Sequence, residues 1–272
     1  MKKILLIFLI SLPIYSQVII SPYVVYMDEN NKFGSMIVQN ESFDPYEITI
    51  SFIFGFPVSD SLGNRTMKYL ENPTEAFPSL NNWITAFPKK FVLNSKERQT
   101  IRLMIKPPKE IPFGTYWTRI VTSSTPINKD TTISDGTGVS AKLKFVLNQV
   151  TTALYRTDSV FTDLNIENSS LIKDSTETYQ LLYKINQLGN SPYFGNFNLT
   201  VTNSKGEIIL EEHDYLSVYY NIVRNYVLQK EKFPAGNYSA KLLIKFNEKE
   251  DIPESKLVPP NDISNSFEFT IP

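Results

Sequence analysis

The sequence predicts an all-β protein built as two antiparallel β-sandwiches, and three observations support this prediction. The chain has 272 residues, which at roughly 100–200 residues per domain suggests two domains. It contains 17 prolines and only 10 glycines, with 15 tyrosines and 18 phenylalanines, a mixture that favours aromatic strands separated by proline-marked turns. Its apolar residues recur in short alternating runs bounded by turn residues, which is the pattern of sandwich strands.

The first 16 residues follow the order of charged, apolar and small residues that is typical of a secretory signal peptide. Lys2 and Lys3 precede the apolar run Ile4–Leu12, and Pro13 and Ser16 follow it. The run is too short to span a bilayer well, and no later stretch approaches the ~20 apolar residues of a transmembrane helix. We therefore expect cleavage after residue 16 and an exported product without an integral membrane segment. The alternatives are an N-terminal core strand or a membrane anchor.

Composition excludes several kinds of functional site. The chain has no cysteine and a single histidine, His213, which excludes disulfide scaffolds, thiolate zinc sites, cysteine–histidine catalysis and any site that needs two imidazoles. The segment Glu211–Asp214 has the residue types of a metal cluster or an acid–base site. A strand would split these side chains between its two faces, and the chain has no second His or Cys, so the segment is interpreted as a solvated polar turn. No phosphate loop, dinucleotide fingerprint or nucleophile elbow occurs. We therefore predict that the protein is not an enzyme and needs no cofactor and no metal.

The charge is distributed unevenly along the chain. Residues 17–156 carry 15 basic and 12 acidic side chains, whereas residues 157–272 carry 10 and 16. Neither half has the basic stripe that nucleic-acid binding requires, so no nucleic-acid partner is expected. The split supports two modules, and the predicted organisation is a signal peptide at 1–16, a first sandwich at 17–156 and a second sandwich at 157–272.

Most of the first half is divided into predicted strands by turns and loops. Asn72–Phe87 is predicted as a loop insertion because Pro73 and Pro78 would interrupt a helix. Ser124–Gly138 is rich in Ser, Thr, Asp and Gly and predicts a long mobile loop. The predicted strands are Val18–Tyr26, Ser35–Val38, Tyr46–Phe54, Phe91–Leu93, Thr100–Ile105, Thr115–Thr122 and the unusually long Val139–Tyr155.

The second half has the same pattern of short predicted strands and turns, and one of its motifs echoes a motif of the first half. Ile111–Tyr116 and Phe233–Tyr238 both place a Pro-x-Gly turn before a strand that begins near a tyrosine. Proline presets φ for such a turn and glycine allows a positive φ, which favours two sandwiches of one class. The predicted strands are Thr178–Ile185, Gly195–Thr202, Glu207–Glu211, Leu216–Val227, Tyr238–Phe246 and Ser266–Ile271.

Three parts of residues 18–156 together resemble the N-terminal domain of the PapD-like periplasmic pilus (fimbrial) chaperones. They are Ile20–Pro22 with Ser35–Asn40, Phe91–Leu93 with Gln99–Leu103, and Ile111–Arg119 with the later Leu154–Arg156. The resemblance implies an immunoglobulin-like sandwich, with residues 157–272 as a companion sandwich of the same kind. No specific motif of the family is found in that second half.

The resemblance implies a function for the last strand of the first sandwich. In these chaperones that strand donates alternating apolar side chains to an incomplete pilin subunit, whose main chain pairs with it. The corresponding donor-strand residues lie on one face by period-2 alternation: Val139, Ala141, Leu143, Phe145 and Leu147. The alternative is that this face packs on the domain's own core, since any half-buried strand alternates in the same way.

The chain departs from the family at the cleft. Pilus chaperones hold the subunit's C-terminal carboxylate with two basic residues, and alignment places Val24 and Val150 at those positions. Valine cannot replace a charge-assisted hydrogen bond. Lys142, Lys144 or Arg156 would substitute only if their side chains entered the cleft.

The resemblance therefore implies a periplasmic chaperone or assembly factor for subunits of a pilus or other surface structure. The expected partner is one such subunit in a 1:1 complex, with an outer-membrane assembly protein as a second expected partner. The alternative is a non-catalytic structural or binding module of the cell envelope, periplasmic or surface-associated, that keeps the fold without strand donation. A third interpretation, a carbohydrate-binding sandwich, depends only on aromatic residues such as Trp83 and Trp117, which are more simply explained as core residues.

Overall fold

The structure is a computed structural model that describes residues 18–127, 131–134, 140–143, 145–174, 177–248, 252 and 257–272. Within these ranges the regular secondary structure is β-strand, without a helix, which confirms the predicted all-β class. It follows that no helix of the described part is long and apolar enough to cross a membrane. The predicted signal peptide at 1–16 lies outside the described residues.

The described residues up to 156 form twelve β-strands. They are β1 (Val18–Ser21), β2 (Val24–Asp28), β3 (Phe33–Asn40), β4 (Tyr46–Ser59), β5 (Arg65–Leu70), β6 (Ile84–Phe87), β7 (Lys90–Leu93), β8 (Arg98–Ile105), β9 (Thr115–Pro126), β10 (Thr131–Ser134), β11 (Ser140–Leu143) and β12 (Leu147–Arg156).

The later strands are longer on average. They are β13 (Val160–Lys173), β14 (Tyr179–Gly189), β15 (Tyr193–Asn203), β16 (Ile208–Val218), β17 (Ile222–Leu228), β18 (Gly236–Phe246), β19 (Leu257–Val258) and β20 (Ile263–Ile271).

The first sandwich consists of two sheets with an apolar core between them. One sheet has the order β1-β3-β8-β6 and the other the order β2-β12-β9-β4-β5, with β7 beside β4. Alternate residues of each strand point inward, and core residues such as Met36 and Leu103 from the first sheet meet Ile48 and Ile120 from the second. The strands β10 and β11 pair only with each other among the described strands.

The second sandwich repeats this arrangement with sheets β17-β14-β13-β19 and β16-β15-β18-β20. Its core is richer in aromatic residues and includes Tyr183, Tyr193, Phe197 and Tyr226, each at most 1% exposed. The prediction of two sandwiches is therefore confirmed. Pairing is antiparallel except that β12 and β2, and β13 and β19, are parallel. The exact boundary between residues 156 and 157 stays a prediction.

The echoed Pro-x-Gly turns form the same contact in both sandwiches. The Tyr116 hydroxyl donates to the Pro112 carbonyl at 2.9 Å, and the Tyr238 hydroxyl donates to the Pro234 carbonyl at 2.8 Å. A tyrosine that hydrogen-bonds the backbone a few residues upstream is the tyrosine corner of immunoglobulin-like sandwiches. It fixes the entry of β9 and of β18 into their sheets.

An aromatic cluster and a buried ion pair join the two sandwiches. Trp117 of β9 lies 4.7 Å from the ring of Tyr219, which follows β16, and both belong to an apolar cluster that contains residues of the two halves. The guanidinium of Arg156, at the end of β12, pairs with the carboxylate of Glu248, and both side chains are at most 1% exposed. These contacts hold the two sandwiches together.

Several predicted element boundaries in the first half were wrong. Ile84–Phe87 is strand β6 and not part of the loop, because it pairs with β8 from Ile105 to Arg102. The predicted loop Ser124–Gly138 begins inside β9 and contains β10. In the described residues, the predicted single strand Val139–Tyr155 contains two strands, β11 and β12, and β11 pairs with β10 in a separate two-stranded sheet.

The second half differs from its prediction in two places. The long strand β13 was not predicted, because its sequence Thr162–Lys173 is rich in Asn, Ser and charged residues and has only weak alternation. The predicted strands Glu207–Glu211 and Leu216–Val227 redistribute into β16 and β17, which are separated by a short turn at residues 219–221.

Candidate functional site: an open strand edge beside the interdomain cleft

The two halves of β12 have different neighbours. Along its whole length β12 pairs with β9, from Leu147 opposite Ser124 to Arg156 opposite Thr115. On its other side β2 pairs only with Thr152–Arg156. Within the described part of the chain, no strand pairs with that side of Leu147–Thr151. We call Leu147–Thr151 the open edge.

The backbone of the open edge has groups available for pairing. The Thr152 amide donates to the Tyr23 carbonyl at 3.0 Å, so the amide of residue 152 points away from β9. Because successive residues of a strand point their backbone groups to opposite sides, the amide and carbonyl of Asn148 and Val150 point the same way as those of Thr152. An extended segment can therefore continue the line of β2 along the open edge.

Large apolar side chains are exposed at and just before this edge. Phe145 is 65% exposed, Val146 52%, Leu147 46% and Val150 45%. Farther along the strand, Ala153, Leu154 and Tyr155 are at most 2% exposed. An exposed strand edge with apolar side chains is an aggregation hazard unless a partner covers it.

The structure places the predicted donor-strand residues on two separate segments. Phe145 and Leu147 are exposed beside the open edge. Ala141 and Leu143 lie on β11, opposite Ile133 and Thr131 of β10. Val139 lies outside the described residues. The structure does not test whether these five residues bind a partner, so their role stays a prediction.

Alternation alone does not show which part of β12 packs on the core, and the structure shows it. Residues 147, 149, 151, 153 and 155 share one face by period 2. Ala153 and Tyr155 belong to the core of the first sandwich, whereas Leu147 is half exposed. The same face therefore packs inward at one end of β12 and is open at the other.

The two valines at the family's basic positions, and the cations that would substitute for them, lie in different environments. Val24 packs against the interdomain cluster, and Val150 is 45% exposed on the open edge. Arg156 is fully buried on Glu248, with its guanidinium carbon 5.6 Å from the centroid of the Tyr26 ring, so it is committed to joining the sandwiches. Lys142 lies on β11, and Lys144 lies outside the described residues.

A cation that the prediction did not single out lies in the cleft. Arg119 of β9 stands opposite Thr152 in the β9–β12 pairing, and its NH1 donates to the Thr152 hydroxyl. Its Nε donates to the Gly55 carbonyl at 2.9 Å, and its guanidinium carbon lies 5.0 Å from the centroid of the Tyr219 ring. The signal was the spacing of Trp117 and Arg119, which puts both on one face of β9.

The cleft around Arg119 is a cavity of about 300 Å³ between the sandwiches. Its lining residues are Pro57, Val58, Arg65, Met67, Arg119, Tyr215, Leu216, Ser217, Tyr219 and Ile222. Two of them are arginines and none is acidic. Nearby, burial raises the pKa of Tyr220 to about 12.

The candidate metal or acid–base segment Glu211–Asp214 takes part in a partly buried ion pair. Glu211–Asp214 lies within β16 and not in a turn, which corrects the predicted secondary structure. Asp214 and Glu212 both face Arg224 of β17, and His213 contacts the Asn198 side chain at 2.8 Å. In the described residues, no group of three or more His, Cys, Asp or Glu side chains is placed to hold a metal ion.

The two tryptophans are packed and do not form an exposed platform. Trp117 is 2% exposed, and its indole donates to the Gly55 carbonyl at 3.1 Å. Trp83 is partly buried, and its ring lies 4.8 Å from that of Tyr116. Neither residue supports the carbohydrate-binding interpretation.

Comparisons with known proteins give a likeness to solved structures. No family model and no curated protein matches the sequence. The YadV chaperone is 12% identical with a TM-score of 0.46, and the alignment covers 93% of this chain and 100% of that one. A complex of the CsuC chaperone and the CsuE tip adhesion subunit from Acinetobacter baumannii is 11% identical with a TM-score of 0.47, and the alignment covers 93% of this chain and 98% of that one. The SafA pilin–SafB chaperone complex of Salmonella enterica is 11% identical with a TM-score of 0.42, and the alignment covers 96% of this chain and 99% of that one. A likeness at this level does not assign a function to this chain.

Proposed function

We propose that this protein is a non-catalytic, exported chaperone or assembly factor that binds a subunit of a pilus or other surface structure. In the proposed 1:1 complex, an extended segment of the subunit pairs with the open edge of β12. Phe145, Leu147 and Val150 contribute side-chain contacts to it. The sequence resemblance to pilus chaperones suggested this function, and the open edge is the observation that carries it.

The energetics of the open edge support binding. Burying an exposed Phe, Leu or Val side chain contributes about 1.5–3 kcal/mol, so Phe145, Leu147 and Val150 together offset much of the cost of ordering a partner segment. Main-chain hydrogen bonds from residues 148 and 150 add affinity that depends little on the partner's sequence, and the apolar side chains add selectivity.

The proposed location and organisation follow the sequence. Residues 1–16 would direct export to the periplasm, and the mature chain would consist of a strand-donating sandwich at 17–156 and a companion sandwich at 157–272. An outer-membrane assembly protein is proposed as a second partner that receives the loaded subunit. Residues 145–147 are exposed and contain no ionisable side chain, which fits a protein partner better than nucleic acid.

A second candidate function is an envelope module that keeps the fold and does not donate a strand. The observation that favours it is the pair Val24 and Val150, which cannot anchor a carboxylate by the route that the resemblance implies. In that case the exposed apolar residues would mediate contacts that do not extend the β12 sheet.

An affinity purification of the tagged mature protein from its own cell envelope tests the proposal. The test variant is Phe145→Asn/Leu147→Asn. The matched control is Phe113→Asn/Leu188→Asn, because Phe113 is 64% and Leu188 45% exposed away from the open edge. We expect a stoichiometric partner with wild type and control and its loss with the test variant, after circular dichroism has shown that all three are folded. Retention by the test variant, or no partner with wild type, would reject strand donation.

A further inference from the structure

We propose that one face of the sheet β1-β3-β8-β6 binds the surface of a membrane that contains anionic lipids. This face belongs to the first sandwich and points away from its core, and we call it the outer face. The open edge of β12 lies in the other sheet of that sandwich. The inference therefore goes beyond the proposed function and does not depend on it.

The strand register shows which side chains form the outer face. Residues that pair directly across neighbouring strands point to the same side of a sheet, and the residues between them, such as Met36, Ile101 and Leu103, are buried in the core. The outer face is therefore made of rows across the sheet. In order along the strands, the rows are Ile19, Gln39 and Arg98; Ser21, Ile37 and Thr100; Ser35, Arg102 and Phe87; and Phe33, Met104 and Thr85.

The first argument is the charge of the outer face. Its charged side chains are Arg98 and Arg102, and none of the rows contains an acidic residue. Both arginines are exposed, and the side chain of neither forms an ion pair or a hydrogen bond with another described residue. Lys32, before β3, and Lys106, after β8, are also exposed, at the end of the face that holds Phe33. Cations without partners in the protein favour an anionic surface.

The carboxylates nearest in sequence to Gln39 and Arg98 are engaged by other residues. Glu41 follows β3, and its carboxylate pairs with the Lys96 ammonium at 3.3 Å. Glu97 precedes β8, and its carboxylate accepts a hydrogen bond from the Asn94 amide at 2.8 Å. Neither carboxylate pairs with Arg98, so the positive charge of the outer face is available to a partner.

The second argument is the apolar part of the outer face. Phe33 is 63% and Phe87 76% exposed, and Ile19 and Ile37 are exposed as well. Peripheral membrane binding uses this combination, since apolar side chains enter the boundary between headgroups and acyl chains while basic side chains attract anionic lipids. A hydrophilic anionic partner would pair with the arginines and leave the phenylalanine rings in water. The composition therefore fits a lipid surface better than nucleic acid or an acidic protein.

The charge of the whole chain favours the same orientation. Residues 17–156 carry 15 basic and 12 acidic side chains, whereas residues 157–272 carry 10 and 16. A negatively charged membrane surface therefore attracts the first sandwich and repels the second. This difference turns the first sandwich, which has the outer face, toward the membrane.

Vesicle flotation of the mature wild-type protein tests the proposal. One set of vesicles contains phosphatidylglycerol and phosphatidylethanolamine, and the other contains only the neutral lipid phosphatidylcholine. We expect saturable binding to the anionic vesicles and binding to the neutral vesicles that is weaker by about 10-fold or more. Raising the salt concentration from about 0.1 M to about 1 M shortens the Debye length from roughly 10 Å to roughly 3 Å, and it should weaken binding to the anionic vesicles by a similar factor.

Charge variants locate the contact on the outer face. Arg98→Gln/Arg102→Gln removes two cations, and we expect it to weaken binding to the anionic vesicles by about 10-fold or more. The matched control is Lys68→Gln/Lys241→Gln, which changes the net charge equally at exposed positions of β5 and β18. We expect the control to weaken binding by less than about 3-fold. Equal losses in the two double variants would mean that net charge alone causes binding and would overturn the site.

Aromatic variants test the apolar contact, after circular dichroism has shown that every variant is folded. Phe33→Ser/Phe87→Ser should weaken binding to the anionic vesicles by about 10-fold or more, because both rings lose their contact with lipid. The matched control is Phe113→Ser/Phe161→Ser, whose rings are 64% and 53% exposed away from the outer face, and it should bind like wild type. Unchanged binding of Phe33→Ser/Phe87→Ser would overturn the apolar contact.

The remaining outcomes separate this proposal from the alternatives. No binding by wild type, or equal binding to anionic and neutral vesicles, would overturn it. An envelope protein captured through Arg98 and Arg102, without vesicle binding, would assign the outer face to an acidic protein instead. Phe145→Asn/Leu147→Asn should bind vesicles like wild type, and its loss of binding would assign the lipid contact to the open edge. Failure of strand donation leaves the vesicle result unaffected.

Discussion

Among the described strands, each sandwich has an open sheet edge near the end of its sequence, but the side chains at the two edges differ in polarity. β20 is the edge of the sheet β16-β15-β18-β20, and its outward residues Ser264, Ser266, Glu268 and Thr270 are polar and exposed. Polar and charged residues protect such edges against unwanted pairing. The open edge of β12 instead has Leu147 and Val150, preceded by Phe145 and Val146, all exposed.

The β12 and β20 edges therefore differ in side-chain polarity although the two sandwiches share their architecture. Both sandwiches share the tyrosine corner, and both have an aliphatic and aromatic core. Under the proposed function, a partner covers the apolar edge of β12, while the polar edge of β20 needs no cover.

A substitution in the part of β12 that pairs with β2 should lower the free energy of unfolding most. Arg156→Met would leave the buried Glu248 carboxylate without its guanidinium, and removing one partner of a buried ion pair costs about 3–5 kcal/mol. We expect urea unfolding to show a loss of this size. The double variant Arg156→Met/Glu248→Gln should recover most of it, because no isolated buried charge remains. A loss below about 1 kcal/mol for the single variant would contradict the role of the pair.

The second sandwich should lose stability at alkaline pH because of its tyrosine-rich core. Burial raises the pKa of Tyr183 to about 12 from 10.0, and burial also raises the pKa values of Tyr193 and Tyr226. Below pH 10 both states keep the phenol protons. Above pH 10 the unfolded chain releases protons that the folded chain retains, so the free energy of unfolding falls, by roughly 2 kcal/mol between pH 10 and 12 for Tyr183 alone.

Denaturant unfolding between pH 8 and pH 12 measures this loss. Tyr183→Phe removes the titrating group, and we expect its stability to fall by less than that of wild type over the same range. The Tyr183 hydroxyl is buried without a hydrogen-bond partner in the described structure, so the substitution should cost little at pH 8. Identical pH profiles for the two proteins would show that Tyr183 does not contribute.

The two tyrosine corners should contribute equally if the sandwiches share their architecture. Tyr116→Phe and Tyr238→Phe each remove one hydrogen bond to a backbone carbonyl, and we expect each to cost about 0.5–1.5 kcal/mol. Thermal unfolding of both variants measures the effect. A cost at one corner and none at the other would mean that the echoed Pro-x-Gly turns are equivalent in form only.

Substitutions at the two edges should change the free energy of unfolding little. Making the polar β20 edge apolar should instead change the self-association of the protein. Phe145→Asn/Leu147→Asn is expected to shift the free energy of unfolding by less than about 0.5 kcal/mol. Ser266→Val/Glu268→Val makes the β20 edge apolar and should promote self-association, which size-exclusion chromatography with light scattering detects. A monomeric, fully soluble Ser266→Val/Glu268→Val variant would weaken the comparison between the edges.

The sequence was enough to predict the all-β class and the two sandwiches, because alternation and Pro-x-Gly turns are local signals. It was not enough to predict β13, whose Asn- and Ser-rich sequence pairs with β14 through its backbone. It also could not divide Val139–Tyr155 into β11 and β12, since both parts alternate and only the tertiary structure separates them.

The candidate site was predictable in part. The exposed Phe145 and Leu147 were among the predicted donor residues, but alternation does not reveal where a strand loses its second neighbour. Arg119 was not predicted as a site residue. Its guanidinium contacts Thr152 and Tyr219, which are remote in sequence and come close to it only in the folded chain.

Hydrogen–deuterium exchange on the purified 1:1 complex measures whether a partner pairs with the open edge. Free protein and complex are compared for segments covering Leu147–Thr151 and, as an internal control, Ile263–Ile271 of β20. We predict that exchange of the Asn148 and Val150 amides slows at least 10-fold in the complex while β20 is unchanged. A complex that forms with the exchange of Leu147–Thr151 unaltered would contradict the account.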